Sequence, residues 1–177
     1  AWSPDGMRLV GTGDWAYGIR RWKVSTDESV RLFDQRSDNS LRVAWAPDGQ
    51  TLASGSWDRE VKLWRLGSET PVLSLVGHQD AVSGLDFSRD GRLLVSASHD
   101  GTVRVWQTRD GALLARFAAE ESRLSRVKFS RDGSRIAYTG HRLHFISWSE
   151  LDDPSVEKAL QARTHLRVEG MQLVRAP

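Results

Sequence analysis

The side chains best suited to holding a metal or moving a proton come closest together at His141 and His144, which with Glu150 outline a three-ligand zinc site. Such a site needs ligand atoms that converge on one point. In an extended segment successive side chains point to opposite faces, so a three-residue offset sends the two imidazoles apart and argues against a shared metal. Nucleophilic chemistry is no better served. The chain has no cysteine, hence no thiolate for attack or metal binding. It also lacks a glycine-rich phosphate loop, a G-x-S-x-G elbow and an H-E-x-x-H pair. On these grounds no catalytic residue, no metal site and no cofactor is assigned, and the chain is not expected to be an enzyme.

The tryptophans carry a clearer signal. Trp22, Trp64, Trp106 and Trp148 are spaced by 42 residues every time. Sixteen or seventeen residues before each stands the aspartate of a recurring segment: Trp2-Ser3-Pro4-Asp5-Gly6, Trp45-Ala46-Pro47-Asp48-Gly49, Phe87-Ser88-Arg89-Asp90-Gly91 and Phe129-Ser130-Arg131-Asp132-Gly133. Each Asp-Gly pair supplies the backbone angles of a tight turn, and alternating apolar runs flank it, which is the pattern of an antiparallel hairpin. Unit three predicts strands near 82–87, 93–98, 103–106 and 113–117. Unit two predicts them near 41–46, 51–55, 61–64 and 72–75. A four-stranded sheet that is apolar on both faces cannot bury itself alone, so units of this period must stack face to face around an axis.

A period of 40 to 45 residues with Gly-His and Trp signatures resembles the WD40 repeat family from Ala1 to about Ser149. The resemblance implies an all-β fold: a partial WD40-type β-propeller of about four blades, each a four-stranded antiparallel sheet, followed by a short C-terminal helix and a β-hairpin tail. The expected divisions are a propeller fragment over 1–153, with blades near 1–34, 40–76, 81–118 and 123–150, and an extension over 154–177. In the extension Asp153 caps, Pro154 opens and Glu157 supports a helix to about Arg163, and two strands then flank Gly170. Family likeness also implies a tetrad that ties each blade together. Unit three has all four members in His78, Ser96, Asp100 and Trp106. Unit two keeps Ser54, Asp58 and Trp64, with Arg36 in the histidine place. Unit one has Trp22 and Asp14, with Gly11 in the serine place; unit four has Trp148, with Tyr138 and Glu120 in the serine and histidine places. These residues are assigned to folding.

In the family the residue before the turn aspartate lies on the narrow top face, where partners dock. Here it is Trp57 in unit two and His99 in unit three. The turn does not need an aromatic at Trp57, and tryptophan is enriched among interface hot spots; the alternative is that it only packs on the next blade's loop. Trp15 and Tyr17 lie in a lengthened turn of unit one, where recognition residues gather on rigid scaffolds. Arg123, at the start of the fourth unit's first strand, is placed to meet an acidic partner or to sit in solvent. Arg116, Arg126, Lys128, Arg131, Arg135 and Arg142 alternate with acids and apolar residues and read as a wet surface.

Composition bounds the rest. The 25 basic and 23 acidic residues of the 177 are interspersed, so no charge block calls for nucleic acid. No apolar stretch approaches the roughly 18 residues of a membrane helix. Absence of cysteine fits a reducing compartment, and a cytoplasmic location is expected. The opening Ala1-Trp2-Ser3-Pro4-Asp5 reads as a start in mid-structure, since propellers of this family close with more blades than four. Uncovered terminal blades predict self-association. Residues 163–174 resemble the closing tail of bacterial multidomain WD40 proteins, which places the natural C-terminus near Pro177 and an effector domain upstream. The expected function is a non-catalytic protein-protein interaction scaffold or sensor whose partners are other proteins or peptides and the missing blades of the same parent chain. The alternatives are a propeller enzyme with its active residues in those blades, and a purely structural module.

Overall fold

A computed structural model describes residues 1–12, 18–26, 28–33, 40–147, 166–169 and 172–175. The 42-residue period appears in it as a repeated cross-strand pair. Leu9 faces Trp22, Leu52 faces Trp64 and Leu94 faces Trp106, each across two adjacent strands of a sheet. The first sheet holds β1 (Arg8–Thr12), β2 (Ile19–Lys23) and β3 (Glu28–Phe33), and Trp2 bridges to Leu9 at its inner edge. The second holds β4 (Ser40–Trp45), β5 (Thr51–Ser56), β6 (Val61–Arg65) and β7 (Leu73–Leu75). The third runs from β8 (Val82–Phe87) through β9 (Leu93–Ser98) and β10 (Thr102–Gln107) to β11 (Leu113–Ala118). The fourth holds β12 (Arg126–Phe129), β13 (Arg135–Thr139) and β14 (Leu143–Ser147).

All within-blade pairings are antiparallel between sequence neighbours, because the connections are short turns. The Asp-Gly turns work as the sequence predicts: Gly91 has φ +73°, and Ser88 Oγ donates to Asp90 Oδ1 at 2.6 Å while accepting from Leu93 N at 2.9 Å. Four consecutive antiparallel strands form in the second and third sheets only, and the third gains two more from the tail. The first and fourth have three among the described residues, the first without an inner strand and the fourth without an outer one.

Successive sheets pack β1 against β4, β4 against β8 and β8 against β12, which is the fan of a propeller. Each junction is an apolar core. Val10 and Ile19 meet Trp45, Leu52 and Trp64. Ala53, Val61, Leu63 and Leu75 meet Val82, Phe87, Leu94 and Trp106. Val95, Val103, Val105 and Phe117 meet Leu124, Val127, Ile136 and Tyr138. Inner strands come so close that a Cβ on Gly84 would stand 2.8 Å from the Val127 nitrogen. Polar ties add to the third junction: Ser83 Oγ donates to the Leu124 carbonyl, and Asp86 accepts from Lys128 Nζ at 2.6 Å and from Phe129 N at 2.9 Å.

The tail departs from expectation. Its hairpin, β15 (Leu166–Glu169) and β16 (Gln172–Arg175), forms as predicted, but β15 pairs in parallel with β11 and turns the third blade into a six-stranded sheet. The outer edge of β11 offers unpaired backbone groups, and an extended segment that reaches it satisfies them. The helix expected from Pro154 to Arg163 lies outside the described residues, as do Asp14, Trp15, Tyr17, Arg36, Trp148 and Glu150. Among the described residues no helix is long and apolar enough to cross a membrane.

Candidate partner-docking face

Blade three positions its turn with a buried relay. Trp106 Nε1 donates to Ser96 Oγ at 2.8 Å, Ser96 Oγ lies 2.7 Å from His78 Nε2, and His78 Nδ1 lies 3.0 Å from Asp100 Oδ2. The serine hydroxyl accepts from the indole and keeps its own proton to give to Nε2, an arrangement that suits a neutral His78 with its proton on Nδ1 toward Asp100. Burial pushes the His78 pKa down, against the pull of Asp100. Burial alone would push the Asp100 carboxyl up, but hydrogen bonds from His78, Thr102 and Gln79 N hold it far below the usual carboxylate range. Thr102, whose hydroxyl donates to Asp100 Oδ1 at 2.6 Å, is a fifth member that a four-residue pattern does not include. Blade two makes half of the relay: Trp64 Nε1 donates to Ser54 Oγ at 2.8 Å, and Asp58 accepts from Lys62 Nζ at 2.8 Å.

Blade four reverses the roles. Glu121, one residue past the predicted Glu120, receives His144 Nε2 at 3.0 Å and the backbone N–H of His141 at 2.5 Å, and Tyr138 stacks on the His144 ring at 5.1 Å between centroids. His141 thus enters this cluster through its backbone and His144 through its ring. Among the described residues no group of three His, Cys, Asp or Glu side chains could hold a metal.

The relay fixes the turn that carries His99. Ser98 Oγ donates to the Asp80 carbonyl at 2.9 Å, and His99 N donates to the Ala81 carbonyl at 2.9 Å. From the adjacent blade, Trp57 comes edge-on to the His99 ring, with centroids 5.7 Å apart and planes at 79°. From the other side, Arg123 N donates to the His99 carbonyl at 3.3 Å. Trp57, His99 and Arg123 therefore form one continuous edge across three blades. Arg123 precedes β12 rather than opening it, in a left-handed conformation at φ +63° with its side chain exposed. Trp15 and Tyr17 cannot be placed on this edge, since they lie outside the described residues.

Trp57 takes up the packing contact without being buried by it. It packs on the neighbouring loop, and it is still 52% exposed, whereas Trp45, Trp64 and Trp106 are 8%, 3% and 2% exposed. Arg59, in the same turn, is an addition that sequence reasoning missed. It is exposed at φ +74°, in the position that Gly101 fills in blade three. A non-glycine residue held in the left-handed region is strained by roughly 1 kcal/mol or more. The signal available in sequence was an arginine 42 residues before a turn glycine.

Residues 36–65 and 69–107 match the family model described as WD domain, G-beta repeat. A solved structure described as "Structure of U3-55K" superposes with a TM-score of 0.73 at 24% identity, over 85% of this chain and 48% of that one. At that identity the likeness is one of fold, and the chain spans less than half the length of the solved protein. Comparison with curated proteins gives no significant match. The matched segments hold β4 to β6 and β7 to β10, with the relay of blade three inside the second. Two segments within residues 36–107 therefore match the WD40 repeat, and the chain folds as blades of a β-propeller.

Proposed function

We propose that the protein is a non-catalytic interaction scaffold that docks a protein or peptide segment on the edge formed by Trp57, His99 and Arg123, with Arg59 beside them. The half-exposed Trp57 carries this reading: a rigid aromatic, seated on His99 and presented by a turn that does not require it, is the kind of anchor that dominates binding energy. The two arginines favour an acidic segment around an apolar contact. A sensor role in a larger bacterial signalling protein, and a cytoplasmic location, belong to the same reading; the resemblance of residues 163–174 and the absence of cysteine support them. Trp57→Ala is expected to weaken capture of the bound partner at least tenfold, in line with about 2 kcal/mol for a hot-spot tryptophan, while leaving thermal stability unchanged. Undiminished capture by a folded variant rejects Trp57 as the anchor.

The blade ends support a second contact. Trp2 is 59% exposed although its repeat counterpart Trp45 is 8% exposed, and Phe145 is 60% exposed where Val103 is wholly buried. Inside the chain these positions face the next blade, so the end faces fit further blades of the same parent protein. The chain alone is expected to self-associate in sedimentation experiments at micromolar concentrations, through these uncovered faces. A stable monomer there argues against the end faces as blade contacts.

A further inference from the structure

We propose that the Arg104–Arg116 pair of blade three is a binding site for a small tetrahedral oxyanion of the phosphate or sulfate type. The register of β10 and β11 sets Arg104 directly opposite Arg116. Like charges in that relation repel on a sheet face. Arg104 is 7% exposed, and its guanidinium lies over the Trp106 ring at 5.9 Å. Its one hydrogen bond among the described residues runs from Nε to Thr102 Oγ1 at 3.5 Å. Arg116 has a buried Nε with no partner. A Cβ on Gly77 would come within 2.1 Å of Arg104 Nη1, so bare backbone is what gives the guanidinium its room.

Charge does not balance here. Among the described residues neither arginine has a carboxylate within ion-pair distance. Asp100 pulls on Arg104 through space, but its oxygens are already taken by His78, Thr102 and Gln79 N. With a neutral His78, the Asp100 carboxylate is the one acidic group among the described residues that acts on Arg104, and Arg116 acts on it with like charge. Both arginines also push the His78 pKa down, so their field is felt across the relay. Blade two shows the compensated arrangement: Lys62, at the position of Arg104, has Asp58 at 2.8 Å and Glu60 at 3.8 Å, and its partner on β7 is Ser74. On the far side of Arg116, the backbone of β15 sets Arg167 in register with it.

A buried charge left unpaired costs several kcal/mol, so an anion that supplies the missing partner is bound with that gain. Guanidinium groups match oxyanions fork to fork, and two side by side engage three or four oxygens where a carboxylate offers two. Burial of Arg104 limits the ligand to a small free anion. The reading of Arg116 as a wet surface residue is thereby corrected: its long side chain is half-buried and its Nε is out of contact with solvent, which the local alternation of charges does not reveal.

The test is thermal unfolding and titration of the protein with inorganic phosphate and with sulfate, against chloride and acetate at matched ionic strength. Phosphate at about ten times its dissociation constant is expected to raise the Tm by roughly 3–5 °C beyond chloride. Arg116→Gln is expected to remove that rise, and Arg116→Lys to reduce it, because a lysine keeps the charge and loses the fork. In the wild type, phosphate is also expected to shift the Trp106 indole N–H resonance, a readout that needs no variant to fold. Equal rises with phosphate and acetate, an equal rise in Arg116→Gln, or a Trp106 resonance that phosphate does not move would each overturn the proposal.

Discussion

Trp106→Ala is expected to destabilise the protein by about 4 kcal/mol and to lower its Tm by roughly 10 °C. The indole is 2% exposed, packs in the core between blades two and three, and donates to Ser96, so its loss opens a cavity and breaks the relay at one end. Trp106→Phe keeps most of the volume and loses the donor, and is expected to cost about 1–2 kcal/mol. Trp22→Ala serves as the internal comparison. That residue holds the same place in the repeat, yet among the described residues its blade has no neighbour on that side and it is half-buried rather than buried, so its replacement should cost less than half as much. Denaturant unfolding of the three variants measures this order. Equal losses for Trp22→Ala and Trp106→Ala would show that blade packing does not set the value of the periodic tryptophan.

The same comparison explains what the sequence made legible. A fixed spacing of 42 residues specifies which side chains share a position, so the Leu–Trp cross-strand pairs and the blade cores followed from counting. Strand limits in blades two and three came within a residue of those observed because Asp-Gly turns and apolar alternation agree there. The relay His78, Ser96, Asp100 and Trp106 was named from family likeness and is present. Features that belong to one blade alone were not legible. Thr102 joins the relay because it lies two residues past Asp100 on the same turn, a contact that a motif spelled by four letters omits. Glu121 rather than Glu120 meets His144, since the loop before β12 does not keep the register of the strands. The Arg104–Arg116 pair is a product of β10–β11 register, and the docking of β15 on β11 joins residues about fifty positions apart. Local patterns carry no record of either. Trp57 and His99 were each named from their place before a turn aspartate, whereas the contact between their rings and the tie through the Arg123 backbone needed three blades in place.

Asp100→Ala is expected to cost about 3–4 kcal/mol, because it strips acceptors from the His78 imidazole, the Thr102 hydroxyl and the Gln79 amide in a site where the Asp100 side chain is only 7% exposed. Asp58→Ala, at the same point of blade two, is expected to cost about 1 kcal/mol, since its partner Lys62 is a flexible cation at a site 24% exposed. A pH series separates the relay from simple packing. The folded pKa of His78 lies below its ordinary value near 6.5, so the unfolded chain binds the proton more readily as pH falls. Stability from neutral His78 is therefore complete above pH about 6.5 and is lost as pH drops from there toward the folded value. Asp100 holds part of that pKa up, by hydrogen bond and by charge, so Asp100→Ala should make the loss between pH 6.5 and 5 steeper. His78→Asn, which has nothing to titrate in that range, should flatten it. If wild type, Asp100→Ala and His78→Asn lose stability in parallel over this interval, the histidine is not the buried neutral link that joins the blade-three turn to its core, and the turn that presents His99 to Trp57 is held by other means.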